Sequence, residues 1–349
     1  MRSEVQVLLD PPYSRCCGAW YGALAQLGER LICIQEVRSS ILLGSTNQRL
    51  VSRRQIGIED GMKVCAVTMV YRDYWALSQW YRHYGKQLGE QNLFIIAHGD
   101  DPKVQRICPQ ASVITIAREK LDGFDWVRGQ FLNKFQASLL ELYDWVIRTD
   151  ADELICLDPE QHTSFSTFFA NQASTAVFAL GLDLAERADD TPLKESANVF
   201  DYRDLALFSG HYSKAFAVRK PENLVRHGVQ VRPRQARWFQ FNMPEGAYLV
   251  HLKYANRHAL AEANKHRSET ANRPGKGLPG MAWRKADEYA KQFFDRIESL
   301  PSSSWEEARD EAIGRLRDDA KRDTKIGLVR ARQLKFKKCT SLPSWFQSL

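Results

Sequence analysis

Tyr143-Asp144-Trp145-Val146-Ile147-Arg148-Thr149-Asp150-Ala151-Asp152-Glu153-Leu154 joins a short apolar run to three carboxylates within four positions. Trp145 to Arg148 has the length and apolar character of a buried strand. Carboxylates at i and i+2 beyond such a strand can approach one ion if the chain turns there. Hard divalent cations, Mg²⁺ or Mn²⁺, take carboxylate oxygens, and Mg²⁺ commonly shares them with substrate phosphates. The plainer alternative is a solvated turn that caps a helix. The position directly after a buried strand favours the first.

Outward from this stretch, strands alternate with helices. Lys63 to Val70, Leu93 to Ala97 and Ala111 to Ile116 read as strands. Trp75, Leu77, Trp80, Tyr81, Tyr84 and Leu88 recur at helical spacing, and a second helix is expected over about 126–143, with Phe131, Phe135, Leu139 and Leu142 on one face. The alternation predicts an α/β fold with a doubly wound, mixed and mostly parallel sheet. Ligands of such sheets sit beyond the carboxyl ends of the strands. Asp73, Asp100, Asp101, Asp150 and Asp152 all follow predicted strands and are expected on one edge. Further strands are expected over Ala176 to Leu182, Lys214 to Val218 and Ala247 to Leu252. From residue 257 the pattern is helical, over about 257–270, 282–298 and 304–320, and it ends in a basic stretch from Arg330 to Lys338. That stretch reads as a solvated tail, or as one drawn to anionic headgroups. The expected division is therefore 1–61, 62–256 and a helical C-terminal extension over 257–349.

Residues 1–61 stand apart. They contain no Lys, His or Phe, in which the rest of the chain is rich. Val7-Leu8-Leu9 is too short for a signal peptide core, and Asp10-Pro11-Pro12 ends it. Leu24-Ala25-Gln26-Leu27-Gly28-Glu29-Arg30 resembles a conceptual translation of the D-arm of a transfer-RNA gene. Ser39-Ser40-Ile41-Leu42 can be read from codons containing a T-loop, and Ser45-Thr46-Asn47 from a 3′ ACCA end. The expectation is a reading frame opened too far upstream, with Met62 as the natural start; a disordered arm is the alternative.

The chain has 349 residues, 44% hydrophobic and 26% charged, as expected of a globular protein rather than a disordered or fibrous one. No apolar run reaches the roughly 18 residues needed to span a bilayer. The net charge of +7 suggests anionic partners, but the basic residues form no single stripe, so nucleic acid is not expected among them. Seven Cys without a C-x-x-C pair argue against a disulfide framework or a zinc site and fit a reducing, cytoplasmic setting.

Three segments carry a family resemblance. Val70-Tyr71-Arg72-Asp73-Tyr74-Trp75-Ala76-Leu77-Ser78-Gln79-Trp80, with His83, resembles the opening of bacterial family 2-like glycosyltransferases of the GT-A fold, with Arg72-Asp73 where Asn-Glu is usual. The stretch quoted first resembles their D-x-D-E-F segment, and Leu249-Val250-His251-Leu252-Lys253-Tyr254 their late histidine strand. The resemblance covers about residues 62–258. It implies transfer of a sugar from a nucleoside-diphosphate-sugar donor to a glycan or lipid-linked acceptor, with Mn²⁺ or Mg²⁺ as cofactor. Asp150, Asp152 and His251 would hold the metal. Asp73, Asp100 and Asp101 would line the nucleotide pocket. Arg128 and Lys134 would balance the diphosphate. His227 is a weaker candidate for the same role. Asp152 and Glu153 would serve the chemistry. Location at the inner membrane face also follows only from the resemblance. A nucleotidyl- or phosphotransferase with the same paired carboxylates, and a non-catalytic carbohydrate-binding protein, are the competing readings.

Overall fold

The structure is a computed structural model that describes residues 61–194 and 197–349. The expectation about residues 1–61 lies outside the described residues, apart from Gly61.

Four parallel strands form the centre: β1 (Val64–Val70), β2 (Leu93–His98), β3 (Ser112–Ile116) and β4 (Trp145–Arg148), in the spatial order β3-β2-β1-β4. The chain winds outward from β1 to β3 and returns to place β4 on the other side of β1. The crevice between β1 and β4 is thus a topological switch point, where open α/β sheets leave room for a ligand. Helices α1 (Tyr74–Leu88), α2 (Pro102–Ile107) and α3 (Phe124–Leu139) lie along the crossovers. Alternation along β1 explains the double winding. Val64, Ala66 and Val70 pack into a large core with Leu77, Trp80 and Tyr84 of α1. Cys65, Val67 and Met69 point the other way, into a smaller core with Leu139 and, at its margin, Phe131 and Phe135 of α3. α3 ends at Leu139, before the expected Tyr143, and Leu142 is exposed.

Two antiparallel strands, β9 (Ala215–Val218) and β6 (Ala176–Phe178), extend this sheet beyond β4. A second sheet has the order β15 (Thr340–Ser341), β8 (Leu205–Phe208), β7 (Leu180–Ala185), β12 (Ala247–Tyr254) and β5 (Glu153–Leu157). The single strand expected over Ala176 to Leu182 is therefore split at Ala179, where the chain leaves the first sheet for the second. Gly181 makes the crossing possible: a Cβ there would lie 2.1 Å from the backbone carbonyl carbon of Tyr212. The chain also passes from the first sheet to the second between β4 and β5, and Asp150-Ala151-Asp152 is that crossing.

A small third sheet holds the hairpin β10 (Asn223–Val225) and β11 (Gly228–Gln230) against β14 (Leu328–Arg330) and β13 (Lys321–Asp323). The remaining helices are α4 (Phe165–Ala170), α5 (Arg257–Ala271), α6 (Met281–Arg284), α7 (Ala286–Ser299) and α8 (Trp305–Leu316). Residues 257–349 share the large core, through Leu260, Phe294, Trp305, Leu316, Phe336 and Phe346. The stretch Arg330 to Lys338 is no solvated tail. Phe336 is buried, Arg332 pairs with Asp319 at 2.8 Å, and Lys338 pairs with Glu307. Apolar residues interleaved with the cations return this segment to the core, which removes it as a free basic arm. No helix among the described residues is long and apolar enough to cross a membrane.

His83 ties α1 to the second sheet. Its Nε2 donates to the Ile155 carbonyl at 2.8 Å, and burial lowers its pKa from 6.5 to about 4. Between these values the unfolded chain binds more protons than the folded one. The contribution is complete above about pH 6.5 and is lost as pH falls toward 4, about 3 kcal/mol in all. His83→Gln should therefore flatten the fall in urea-unfolding free energy between pH 6.5 and 4.5. An unchanged pH slope in the variant would contradict this.

Candidate active site

The turn that carries the carboxylates is built by its neighbours. Thr149 follows β4 and accepts from Trp80 Nε1 at 2.9 Å. The Asp150 amide donates to Glu153 Oε2 at 3.0 Å, and the Glu153 amide returns a bond to the Asp150 carbonyl at 3.1 Å. Leu252 of β12 donates its amide to the Asp152 carbonyl at 2.7 Å. Pairing registers then set the side chains: His251 lies opposite Glu153 on β5 and beside Asp183 on β7.

Two ionic chains leave this turn. In the first, Lys214 Nζ lies 2.7 Å from Glu153 and 3.3 Å from Asp150. Lys214 directly precedes β9. Burial alone would lower its pKa, but the two carboxylates raise it, so the ammonium persists. Lys214 holds Asp150 below the usual carboxylate range. Glu153 is 1% exposed; burial outweighs the neighbouring ammonium and pushes it up to about 7. In the second chain, His251 Nδ1 is 2.7 Å from Asp183 and Nε2 is 3.4 Å from Asp152. Arg267 of α5 lies 3.5 Å from Asp152 and 3.9 Å from Asp73. Burial works against ionisation of Asp152, but His251 and Arg267 hold it well below its ordinary value. Burial likewise opposes a charged His251, yet Asp152 and Asp183 raise it to about 9. Asp73 precedes α1 without capping it, and burial raises it to about 6 despite Arg267.

These groups open on a cleft of about 940 Å³, lined among others by Asp73, Arg128, Asp150, Asp152, Glu153 and His251. A smaller cavity of about 310 Å³ adjoins it at the ends of β1 and β2, and Tyr71, His98 and His266 line both. Asp100 and Asp101 line the smaller one. Asp101 is already engaged: it caps α2 through the Lys103 amide at 3.0 Å and accepts from Tyr74 Oη at 2.8 Å. Arg118 lines the larger cleft and packs on two residues shared by both cavities, with its guanidinium 3.5 Å from the centre of the Tyr71 ring and 3.0 Å from His98 Nδ1. Since Arg118 can only donate, His98 carries its proton on Nε2. Burial and the nearby arginines lower the His98 pKa to about 4.

Most of the expected residues meet here, with two corrections. Lys134 is exposed and lines neither cavity. It lies six residues from Arg128, which turns it about 240° around the helix and away from the cleft. Asp150, Asp152 and His251 do not form a three-ligand cluster. Among the described residues no group of three His, Cys, Asp or Glu is arranged to hold a metal ion. Asp150 turns to Lys214, and His251 is shared between Asp152 and Asp183. Sequence reasoning missed Lys214, Asp183 and Arg267. For Lys214 and Asp183 the only signal was a charged residue at the edge of, or inside, an otherwise apolar segment, and Arg267, one of many polar residues on α5, gave none.

No protein-family model matches the chain, and no curated protein matches its sequence. Among solved structures it is similar to a mannosyltransferase of Pyrobaculum calidifontis in complex with GDP-Man and Mn²⁺. That match has 12% identity and a TM-score of 0.34, over 79% of this chain and 80% of the other. It is also similar to the mannosyltransferase Ktr4p of S. cerevisiae, with 13% identity and a TM-score of 0.24, over 46% of this chain and 50% of the other. A cytidylyltransferase of Leptospira borgpetersenii has 13% identity and a TM-score of 0.24, over 39% and 58%. The chain thus spans about half the length of Ktr4p and somewhat more of the cytidylyltransferase. Likeness at these scores is too slight to carry a functional argument.

Lys214→Met leaves Glu153 buried beside two aspartates without its ion-pair partner. Removing one partner of a buried pair costs about 3–5 kcal/mol. A double variant that also carries Glu153→Gln should recover most of it. Urea denaturation of the three proteins at pH 7 checks this, and equal losses in the single and double variants would refute the pairing.

Proposed function

We propose that the chain is a glycosyltransferase that uses a nucleoside-diphosphate sugar as donor. The supporting observation is the placement of Asp150 and Asp152: at the β1/β4 switch point, on a cleft lined by cations, beside a smaller cavity at the ends of β1 and β2. The smaller cavity suits the nucleoside, with Tyr71 as an aromatic wall and Asp100, joined by Asp73 from the adjoining larger cleft, as acceptors for base or ribose. The diphosphate then falls near Asp152. Arg267, Lys214 and Arg128 supply fixed positive charge where the departing diphosphate gains negative charge. Fixed charge in a partly dehydrated site needs no reorganisation during reaction, which makes it effective.

The donor set fits a divalent cation with two protein ligands rather than three. The Asp183 carboxylate accepts from His251 Nδ1, an arrangement that fixes the ring and leaves Nε2 turned to Asp152. Asp152 and His251, the latter once the ion has displaced its Nε2 proton, would hold Mn²⁺ or Mg²⁺, and Mg²⁺ in particular completes its shell with substrate phosphates and water. The ion would supply further charge neutralisation at the diphosphate. Glu153, buried against Lys214, positions the turn. A glycan or lipid-linked molecule is the proposed acceptor, and an active site on the cytoplasmic side of a membrane the proposed setting.

A panel of nucleotide sugars with Mn²⁺ tests the reading through the product released. A nucleoside diphosphate is expected. Pyrophosphate would instead point to nucleotidyl transfer, and glycan binding without donor affinity to a binding protein. Asp152→Asn should lower diphosphate release by roughly a hundredfold or more with an unchanged circular-dichroism spectrum. Wild-type turnover in that variant would sink the assignment.

A further inference from the structure

The hairpin of β10 and β11 closes through two residues, Arg226 and His227, between the paired Val225 and Gly228. Both have positive φ, 47° and 65°. Two-residue turns of this kind are ordinarily made from Asn and Gly: Gly has no Cβ to clash, and the short polar side chain of Asn tolerates positive φ, whereas longer side chains are strained there. The adjacent Gly228 does not relieve the strain. It is needed where it stands, since a Cβ there would lie 2.3 Å from the Val329 carbonyl oxygen of β14.

The surroundings hold the turn in place. Asn133 of α3 accepts from the Leu224 amide at 2.9 Å, and Gln136 donates to the Glu222 carbonyl at 2.9 Å. His227 Nδ1 lies 2.5 Å from the His211 carbonyl, so that nitrogen carries the proton. The Ala215 amide donates to the His227 carbonyl at 3.4 Å, which sets the turn over the start of β9. Arg226 and His227 both line the large cleft. Arg226 is exposed and forms no salt bridge among the described residues.

Order across the sheet locates the turn. The smaller cavity lies at β1 and β2, the Asp150–Asp152 turn follows β4, and the hairpin tip lies beyond it at β9. A donor bound as described above would direct its sugar toward this tip. We propose that the Arg226-His227 turn is the acceptor subsite, and that Arg226 takes an anionic group, phosphate or carboxylate, carried by the acceptor. This rests on the transferase reading.

Calorimetry would compare glucose 6-phosphate, glucuronate and glucose on the full chain, with and without saturating nucleoside diphosphate. At least one charged sugar should bind tenfold or more tightly than glucose, and the two charged probes distinguish phosphate from carboxylate. Arg226→Asn combined with His227→Gly relieves the strain. It should raise the melting temperature by a few degrees, cost at least tenfold in charged-sugar affinity and leave nucleoside diphosphate affinity unchanged. Arg226→Gln, which keeps His227, should lose the same affinity and serves if the double variant does not fold. Equal affinity for glucose and both charged sugars, or full retention in the variants, would overturn the subsite. Failure of the wild type to bind any nucleoside diphosphate would count against the transferase reading instead, and the nucleotide-free titration would still decide the subsite.

Discussion

The chain has to pass from one sheet to another while carrying three carboxylates into a poorly solvated place. Everything near the cleft follows from that constraint. Burying ionised carboxylates without partners would cost several kcal/mol each. Cations from separate elements converge in response: Lys214 from the start of β9, Arg267 from α5, and a charged His251 from β12. None is near the turn in sequence. The second sheet and the helices after residue 257 therefore help to define the site as well as to bury apolar surface.

The same constraint explains which features the sequence disclosed. Asp150 and Asp152 were legible because a strand and the turn after it are local, and an apolar run ending in carboxylates has few structural meanings. The doubly wound centre was legible for the same reason, with periods of two and near four alternating from Lys63 to Arg148. Lys214 and Asp183 were hidden. Each lies at or inside a run that reads as plain strand, and its partner comes from another strand about 60 to 70 residues away. The break at Ala179 was hidden too, because Ala176 to Leu182 is apolar throughout and its two halves serve different sheets. The basic segment from Arg330 to Lys338 misled for the opposite reason. Its cations dominate the composition, while Phe336 and Cys339, which decide its position, are few.

The cleft also shows a division along the sheet. Aromatic and neutral imidazole groups gather at β1 and β2: Tyr71 under Arg118, and His98 kept uncharged by burial. The carboxylates sit at β4. Beyond them, toward β9, Tyr212 stacks on His251 at 3.7 Å and His211 lies 4.2 Å from His227. A ligand with a flat, neutral end, a highly charged middle and a hydroxyl-rich far end would find matching surfaces in that order.

The ionic chain through Asp73, Arg267, Asp152, His251 and Asp183 is a poor way to stabilise a protein. Buried ion pairs gain little over well-packed apolar residues of the same volume, and often less than nothing. The fold does not depend on them, because two apolar cores already join α1 and α3 to opposite faces of the central sheet. Stability alone would favour replacing such a chain with leucine and phenylalanine. A continuous line of charge instead runs from the end of β1 through the acidic turn to β7, with Asp73, Asp152, His251 and Arg267 on the wall of the larger cleft. Its placement makes sense as a preorganised surface for a charged ligand, and the strained Arg226-His227 turn across the same cleft follows the same logic: local stability is given up where side-chain chemistry faces the ligand space.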